Sequence, residues 1–234
     1  MKVRSIGMIF AGLVALGVVN AAGIAGQGTW ETTLQARDLD RDGVADAYYD
    51  TALNISWVAN ADVAGPLSWQ MANLWASSLD VHGVIGWRLP KTTDYSNGTC
   101  ANVPALLYYC SDFGWNVNTE GSELAHMYFV TLGNKALFDT NGIPQVYGLT
   151  NTANFQNLRS GTYWSETEYA PMPTNAWIFG TDAGPQTTSA KDSPYYAWAV
   201  HQGDVAAVPE PHSALLALTA LGVLVAANRH RRRD

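Results

Sequence analysis

The chain has 234 residues, 47% of them apolar and 14% charged, with nine Trp and eleven Tyr. Disordered chains have few apolar groups and much charge, so intrinsic disorder is excluded. The formal charge is −7, and between Gly26 and Val208 seven basic residues stand against eighteen acidic ones. No basic stripe is available to neutralise phosphates, and no nucleic-acid partner is expected.

The first 25 residues read as a secretory signal. Lys2 and Arg4 precede an uncharged apolar run from Ile6 to Val19, and the small residues Ala21, Ala22, Gly23 and Ala25 follow. Cleavage after Ala21 or Ala25 meets the small-residue requirement. The competing reading is an N-terminal anchor, but the run is short of the ~20 residues a span needs.

Thr29–Asp38 alternates weakly and is expected to be an opening strand. The segment Asp38-Leu39-Asp40-Arg41-Asp42-Gly43-Val44-Ala45-Asp46 follows D-x-D-x-D-G. Carboxylates at alternate loop positions converge on one point, Gly43 permits the sharp turn, and Val44 offers its carbonyl. Asp46 holds the ninth position. Asp38, Asp40, Asp42, Val44 and Asp46 are therefore candidate calcium ligands. Position twelve is Tyr49 rather than the bidentate Glu of an EF-hand, with Asp50 as a substitute one residue late. The other reading is a solvated acidic turn between two strands.

Tyr48–Ala59 reads as a strand with a turn near Asn54. Ser68–Leu79 reads as a helix, with Ser68 as N-cap and Trp69, Ala72, Ala76 and Leu79 at helical spacing. Gly86–Pro90 is short and extended, and turn residues dominate from Lys91 to Glu120. Cys100 and Cys110 are the two cysteines. In an exported chain such a pair is expected to bridge, closing a short loop for ~2–3 kcal/mol. Zinc needs more N/S ligands than this pair supplies. Ser122–Leu132 reads as a second helix, capped by Ser122 and ended by Gly133. Asn134–Ser160 is loop-rich. Three strand-like pieces follow, at Gly161–Glu166, Asn175–Thr181 and Tyr195–Gln202. Two short helices among several strands indicate an α+β domain over residues 26–207.

At the C-terminus, Pro209-Glu210-Pro211 precedes an uncharged apolar stretch, 214–227, and then Arg229, Arg231, Arg232 and Arg233. This order over 208–234 resembles the PEP-CTERM sorting signal of Gram-negative bacteria. The resemblance implies recognition by an exosortase, cleavage near Pro209-Glu210-Pro211, an inner-membrane precursor, and a mature protein at the cell surface or in the exopolysaccharide matrix. A permanent tail anchor is the competing reading, with the Arg cluster on the cytoplasmic side.

Four central segments carry a second resemblance. They are Tyr48–Thr51, Trp87-Arg88-Leu89-Pro90, Tyr163-Trp164-Ser165-Glu166-Thr167, and Ala176-Trp177 with Ala197–Val200. Together with Ser122–His126 they resemble the Lcl C-terminal-domain family over about Trp30 to Val205. Trp87–Pro90 is also similar to a segment of formylglycine-generating enzymes, which implies a compact C-type-lectin-like domain with two short helices and small antiparallel sheets. The catalytic cysteines of those enzymes lie late in the chain, whereas Cys100 and Cys110 lie early, so their copper chemistry is not expected. Trp87, Trp164, Trp177 and Trp198 are expected in the core, the other reading being a sugar-stacking platform. Arg88 is expected to point away from Trp87 and Leu89 and to pair with Glu166 or Glu168.

No G-x-S-x-G, H-E-x-x-H or phosphate loop with Lys occurs. His82, His126 and His201 are scattered. Glu166 and Glu168 are a weak acid/base pair candidate. The expectation is a non-enzymatic exported binding or structural module, with carbohydrate as the leading ligand. Its alternatives are a calcium-stabilised matrix protein and an enzyme acting on polysaccharide.

Overall fold

The computed structural model describes residues 23–95 and 112–205. Within them lie three short helices and ten strands in two sheets: α1 (Trp30–Thr33), β1 (Leu34–Arg37), β2 (Ala47–Asp50), β3 (Ile55–Val58), β4 (Pro66–Leu67), α2 (Trp69–Ser78), β5 (Gly114–Trp115), α3 (Glu123–His126), β6 (Thr162–Glu168), β7 (Asn175–Gly180), β8 (Pro185–Ala190), β9 (Tyr195–Tyr196) and β10 (Val200–Gln202). The four-stranded sheet has the order β1-β2-β3-β10, and the six-stranded sheet β4-β9-β6-β7-β8-β5. All strand pairs are antiparallel except β6 with β9. The α+β class is therefore present. None of the helices among the described residues is long and apolar enough to cross a membrane. Cys100, Cys110, the leader and the sorting tail fall outside the described residues.

Neighbouring residues along the strands divide between two apolar clusters, as a period of two requires. Trp57, Tyr163, Phe179, Trp198 and Val200 enter one cluster, with Leu124, Ala125, Met127 and Tyr128 from α3 and the turn after it. Val58, Trp164, Ile178, Ala197 and Ala199 enter the other, with Ala72 and Ala76 of α2, Trp87 and Leu89. The sheets are thus buried on both faces in their middle. Trp87, Trp164, Trp177 and Trp198 are all at most 2% exposed, so these four rings form core and not a sugar-stacking platform.

Three local readings change. The expected opening strand begins as the helical turn α1: the Thr29 carbonyl accepts the N–H groups of Thr32 and Thr33, and both their hydroxyls donate to it as well. The second helix is α-helical only to His126 and continues as a π-helical segment, Met127–Thr131. Ser122 does cap it, its hydroxyl accepting from Ala125 N at 3.2 Å. Gly133 follows at φ 66°; a Cβ there would lie 2.4 Å from Gly28 N, so this close backbone crossing requires glycine. Tyr195–Gln202 is not one strand. β9 pairs with β4 and β6, then Ala197–Ala199 carries the chain to the other sheet, where β10 pairs with β3.

The resembling segments meet in space. The Pro90 carbonyl accepts from Glu166 N at 2.8 Å and Ser165 Oγ at 2.9 Å. Arg88 exchanges both backbone hydrogen bonds with Val200. Arg88 does point away from Trp87 and Leu89, but its partner is Glu123 of α3, not Glu166 or Glu168. Glu123 is held beside it by Lys91, whose carbonyl accepts from Glu123 N at 3.0 Å and whose N–H donates to Glu123 Oε2 at 2.7 Å.

Candidate metal centre

β1 and β2 are antiparallel neighbours in register from Leu34↔Asp50 to Arg37↔Ala47. The chain between them must reverse within Asp38–Asp46, and aspartates do the reversing. Asp38 accepts from Arg41 N (2.7 Å) and Gly43 N (2.9 Å). Asp40 accepts from Asp42 N (3.0 Å), and Asp42 from Val44 N (2.8 Å). Asp46 closes the loop by accepting from Leu39 N at 2.7 Å. Arg41 and Gly43 take positive φ, 68° and 92°. The Asp40 and Asp42 bonds, each to the N–H two residues on, are the Asx turns that aspartates favour; the Asp38 and Asp46 bonds span the loop.

One consequence is a concentration of carboxylate oxygens. Ligand atoms of Asp38, Asp40 and Asp42 lie within 4.8 Å of one another. A second group shares Asp40 and brings in Asp46 and His82, again within 4.8 Å. His82 Nε2 stands 3.1 Å from Asp46 Oδ1, and Nδ1 stands 3.6 Å from Asp40 Oδ2. No spacing rule links His82 to this loop. It arrives through the turn Val81–Val84, where its own φ is 49° and Asp80 accepts from Gly83 N. The loop thus presents two carboxylate groups that share Asp40, hard oxygens of the kind calcium takes, with imidazole in the second better suited to softer divalent ions; Val44 enters the loop's bonding through its N–H, which donates to Asp42.

Position twelve does not join this set. Tyr49 lies in β2 and its hydroxyl donates to Asn54 Oδ1 at 2.8 Å. Asp50, the substitute read from the sequence, is fully buried. Its carboxylate accepts from Ala52 N and Thr131 Oγ1. Burial raises its pKa above the ordinary value, and the hydrogen bonds and nearby His126 oppose that rise. His126 shifts down, burial again being the main cause. Asp50 is thus an internal, hydrogen-bonded carboxyl, whereas His126 is half-buried and its Nε2 has no hydrogen-bond partner among the described residues, so it is not the satisfied packing histidine its apolar neighbours in the sequence suggest.

The weak acid/base pair is divided. Glu168 is taken by Lys191, whose ammonium also sits over the Trp69 ring at 4.2 Å. Glu166 lies near Arg88, raising the Arg88 pKa along with Glu123 against the opposing effect of burial. The register between β6 and β7 shifts between Trp164 and Glu168, which breaks the simple alternation assumed for the pair.

Among known proteins, no family model matches this chain and no curated sequence matches it.

Proposed function

We propose that the chain is the precursor of an exported surface or exopolysaccharide-matrix protein. Its central domain, of C-type-lectin-like kind, is a non-catalytic module stabilised by calcium at Asp38–Asp46. The convergence of the Asp38, Asp40 and Asp42 carboxylates around a Gly43 turn carries the calcium reading. A loop holding this much negative charge gains from a divalent cation, and water completes the coordination sphere that the Asp38, Asp40 and Asp42 carboxylates begin.

With a Kd of ~10⁻⁴–10⁻³ M, 10 mM calcium stabilises the fold by about 1.4–2.7 kcal/mol. A domain of this size then melts roughly 3–10 °C higher than in EDTA. Asp40→Ala is expected to abolish that shift, since Asp40 belongs to both carboxylate groups. His82→Ala should retain it, because calcium takes oxygen ligands. An unchanged melting temperature at 10 mM calcium overturns the assignment.

Export and sorting rest on the sequence at the two ends. Gly23 packs against the Trp30 ring, and Ile24 both accepts from Trp30 Nε1 and donates its N–H to Asn151 Oδ1 at 3.0 Å. Cleavage after Ala21 preserves those contacts; cleavage after Ala25 removes them. Mass spectrometry of the native product is therefore expected to find an N-terminus before Gly23 and a C-terminus near Pro209. Replacing Pro209-Glu210-Pro211 with Ala should leave precursor in the inner membrane. Normal release of that variant, or both ends intact in the native product, refutes the sorting reading.

A further inference from the structure

A pocket of about 180 Å³ opens beside the first hairpin, lined by Trp30, Glu31, Leu34, Ala36, Tyr48, Ala153 and Asn154. We propose that it binds one ring of a neutral saccharide between the Trp30 and Tyr48 side chains. The proposal rests on the reading of the domain as a non-catalytic module with carbohydrate as its expected ligand, and adds to it a place and a restriction to one neutral ring.

Both aromatic walls are fixed before any ligand arrives. Trp30 Nε1 donates to the Ile24 carbonyl at 3.2 Å, and Tyr48 Oη donates to the Asn154 carbonyl at 3.3 Å. Phe155 packs edge-on against Tyr48 at 5.0 Å. With their polar atoms bonded to backbone carbonyls, the rings are left with carbon faces for a ligand. Preorganised walls reduce the ordering cost of binding. The apolar floor follows from the register: Ala36 is opposite Tyr48, so Leu34, Ala36 and Tyr48 share one face of the sheet.

The polar groups at the rim complete the match. Glu31 uses Oε2 to accept from Gly26 N at 2.8 Å; Oε1 has no partner among the described residues. The Asn154 side chain is exposed and makes no hydrogen bond among them. One carboxylate oxygen and one amide are an acceptor and a donor–acceptor pair, as neighbouring sugar hydroxyls require. Carbon faces stacked on aromatic rings with hydroxyls at the edge are the chemistry of a pyranose. The volume is well below the ~300–1,000 Å³ of drug-sized sites, which suits a single ring. Glu31, the charged residue of the lining, repels anionic sugars.

The test uses the full-length protein in a sugar-free detergent, with EDTA present. Methyl glycosides of glucose, mannose, galactose, N-acetylglucosamine and rhamnose are titrated by saturation-transfer NMR and Trp fluorescence, with galacturonic acid as the anionic control. At least one neutral glycoside is expected to saturate below about 10 mM, galacturonic acid not. Trp30→Ala and Asn154→Ala should each weaken binding at least about tenfold, or about 1.4 kcal/mol. Asn154 is exposed, so its variant tests the pocket even where Trp30→Ala unfolds. Failure of every neutral glycoside, or binding unaltered in Asn154→Ala, overturns the proposal. So does binding that requires calcium and is unchanged in Trp30→Ala, which would put the sugar at the Asp loop. None of these outcomes alters the calcium melting shift or the processing of the termini, so this proposal and the preceding one fail separately.

Discussion

Trp198→Ala is expected to destabilise the domain by about 3–5 kcal/mol, a large share of the ~5–15 kcal/mol available to a folded domain. Trp198 is 1% exposed. Its ring meets Trp57 at 4.5 Å and Phe155 edge-on at 4.8 Å. Its Nε1 donates to the Val58 carbonyl at 2.8 Å, in the interior. The substitution opens a cavity, removes the ring contacts with Trp57, Phe155 and Tyr163, and strands a buried carbonyl, three kinds of cost that add at one site. Trp198 also sits in the segment that carries the chain from one sheet to the other, so its loss loosens both. Denaturant unfolding followed by far-UV circular dichroism measures the effect. A loss under 1 kcal/mol contradicts the packing described here.

Arg88→Met is expected to cost about 3 kcal/mol, at the lower edge of the range for breaking a buried ion pair. The Arg88 guanidinium meets Glu123 through both nitrogens, Nη1 at 2.7 Å from Oε2 and Nη2 at 2.8 Å from Oε1. Nη1 also donates to the Leu89 carbonyl at 3.0 Å. Both side chains are largely covered, at 17% and 18% exposed. Methionine fills much of the same volume but leaves the Glu123 charge without its counter-ion. The double variant Arg88→Met/Glu123→Leu should be less damaging than the sum of the single ones, with a coupling above about 1 kcal/mol. Additive effects would mean that the pair contributes nothing as a pair. Glu123 also accepts from Lys91 N at 2.7 Å. Some destabilisation therefore persists in the double variant.

The readable parts of the fold were those with strong local signals. Ser68 before a run with Trp69, Ala72 and Ala76 at helical spacing marks α2, which forms over Trp69–Ser78 and buries both alanines. β8 was missed because its sequence, Pro-Gln-Thr-Thr-Ser-Ala, lacks apolar alternation. It is held instead by pairing with β7 on one side and β5 on the other. The candidate ligands Asp38, Asp40, Asp42, Val44 and Asp46 could be read from spacing alone, since a nine-residue loop leaves few ways to place them. His82 could not: it is 36 positions beyond Asp46 in the chain and meets it only through a separate turn. Trp30 and Asn154 likewise share a pocket although 124 positions separate them.

The sequence by itself determined what short-range chemistry controls: the aspartate turn, the positions of glycine reversals, the cap of α3, and the opposite orientation of Arg88 from Trp87 and Leu89. It also supplied the charged-and-apolar patterns at both ends from which export is proposed. Tertiary structure alone decided which aromatic rings are interior and which line a pocket, since Trp is equally compatible with both until its neighbours are placed. It decided that Glu123 is the partner of Arg88, that Asp50 is buried away from the loop, and that Tyr195–Gln202 divides between two sheets. Each of these depends on contacts between segments remote in the chain, where propensity and spacing carry no information about distance.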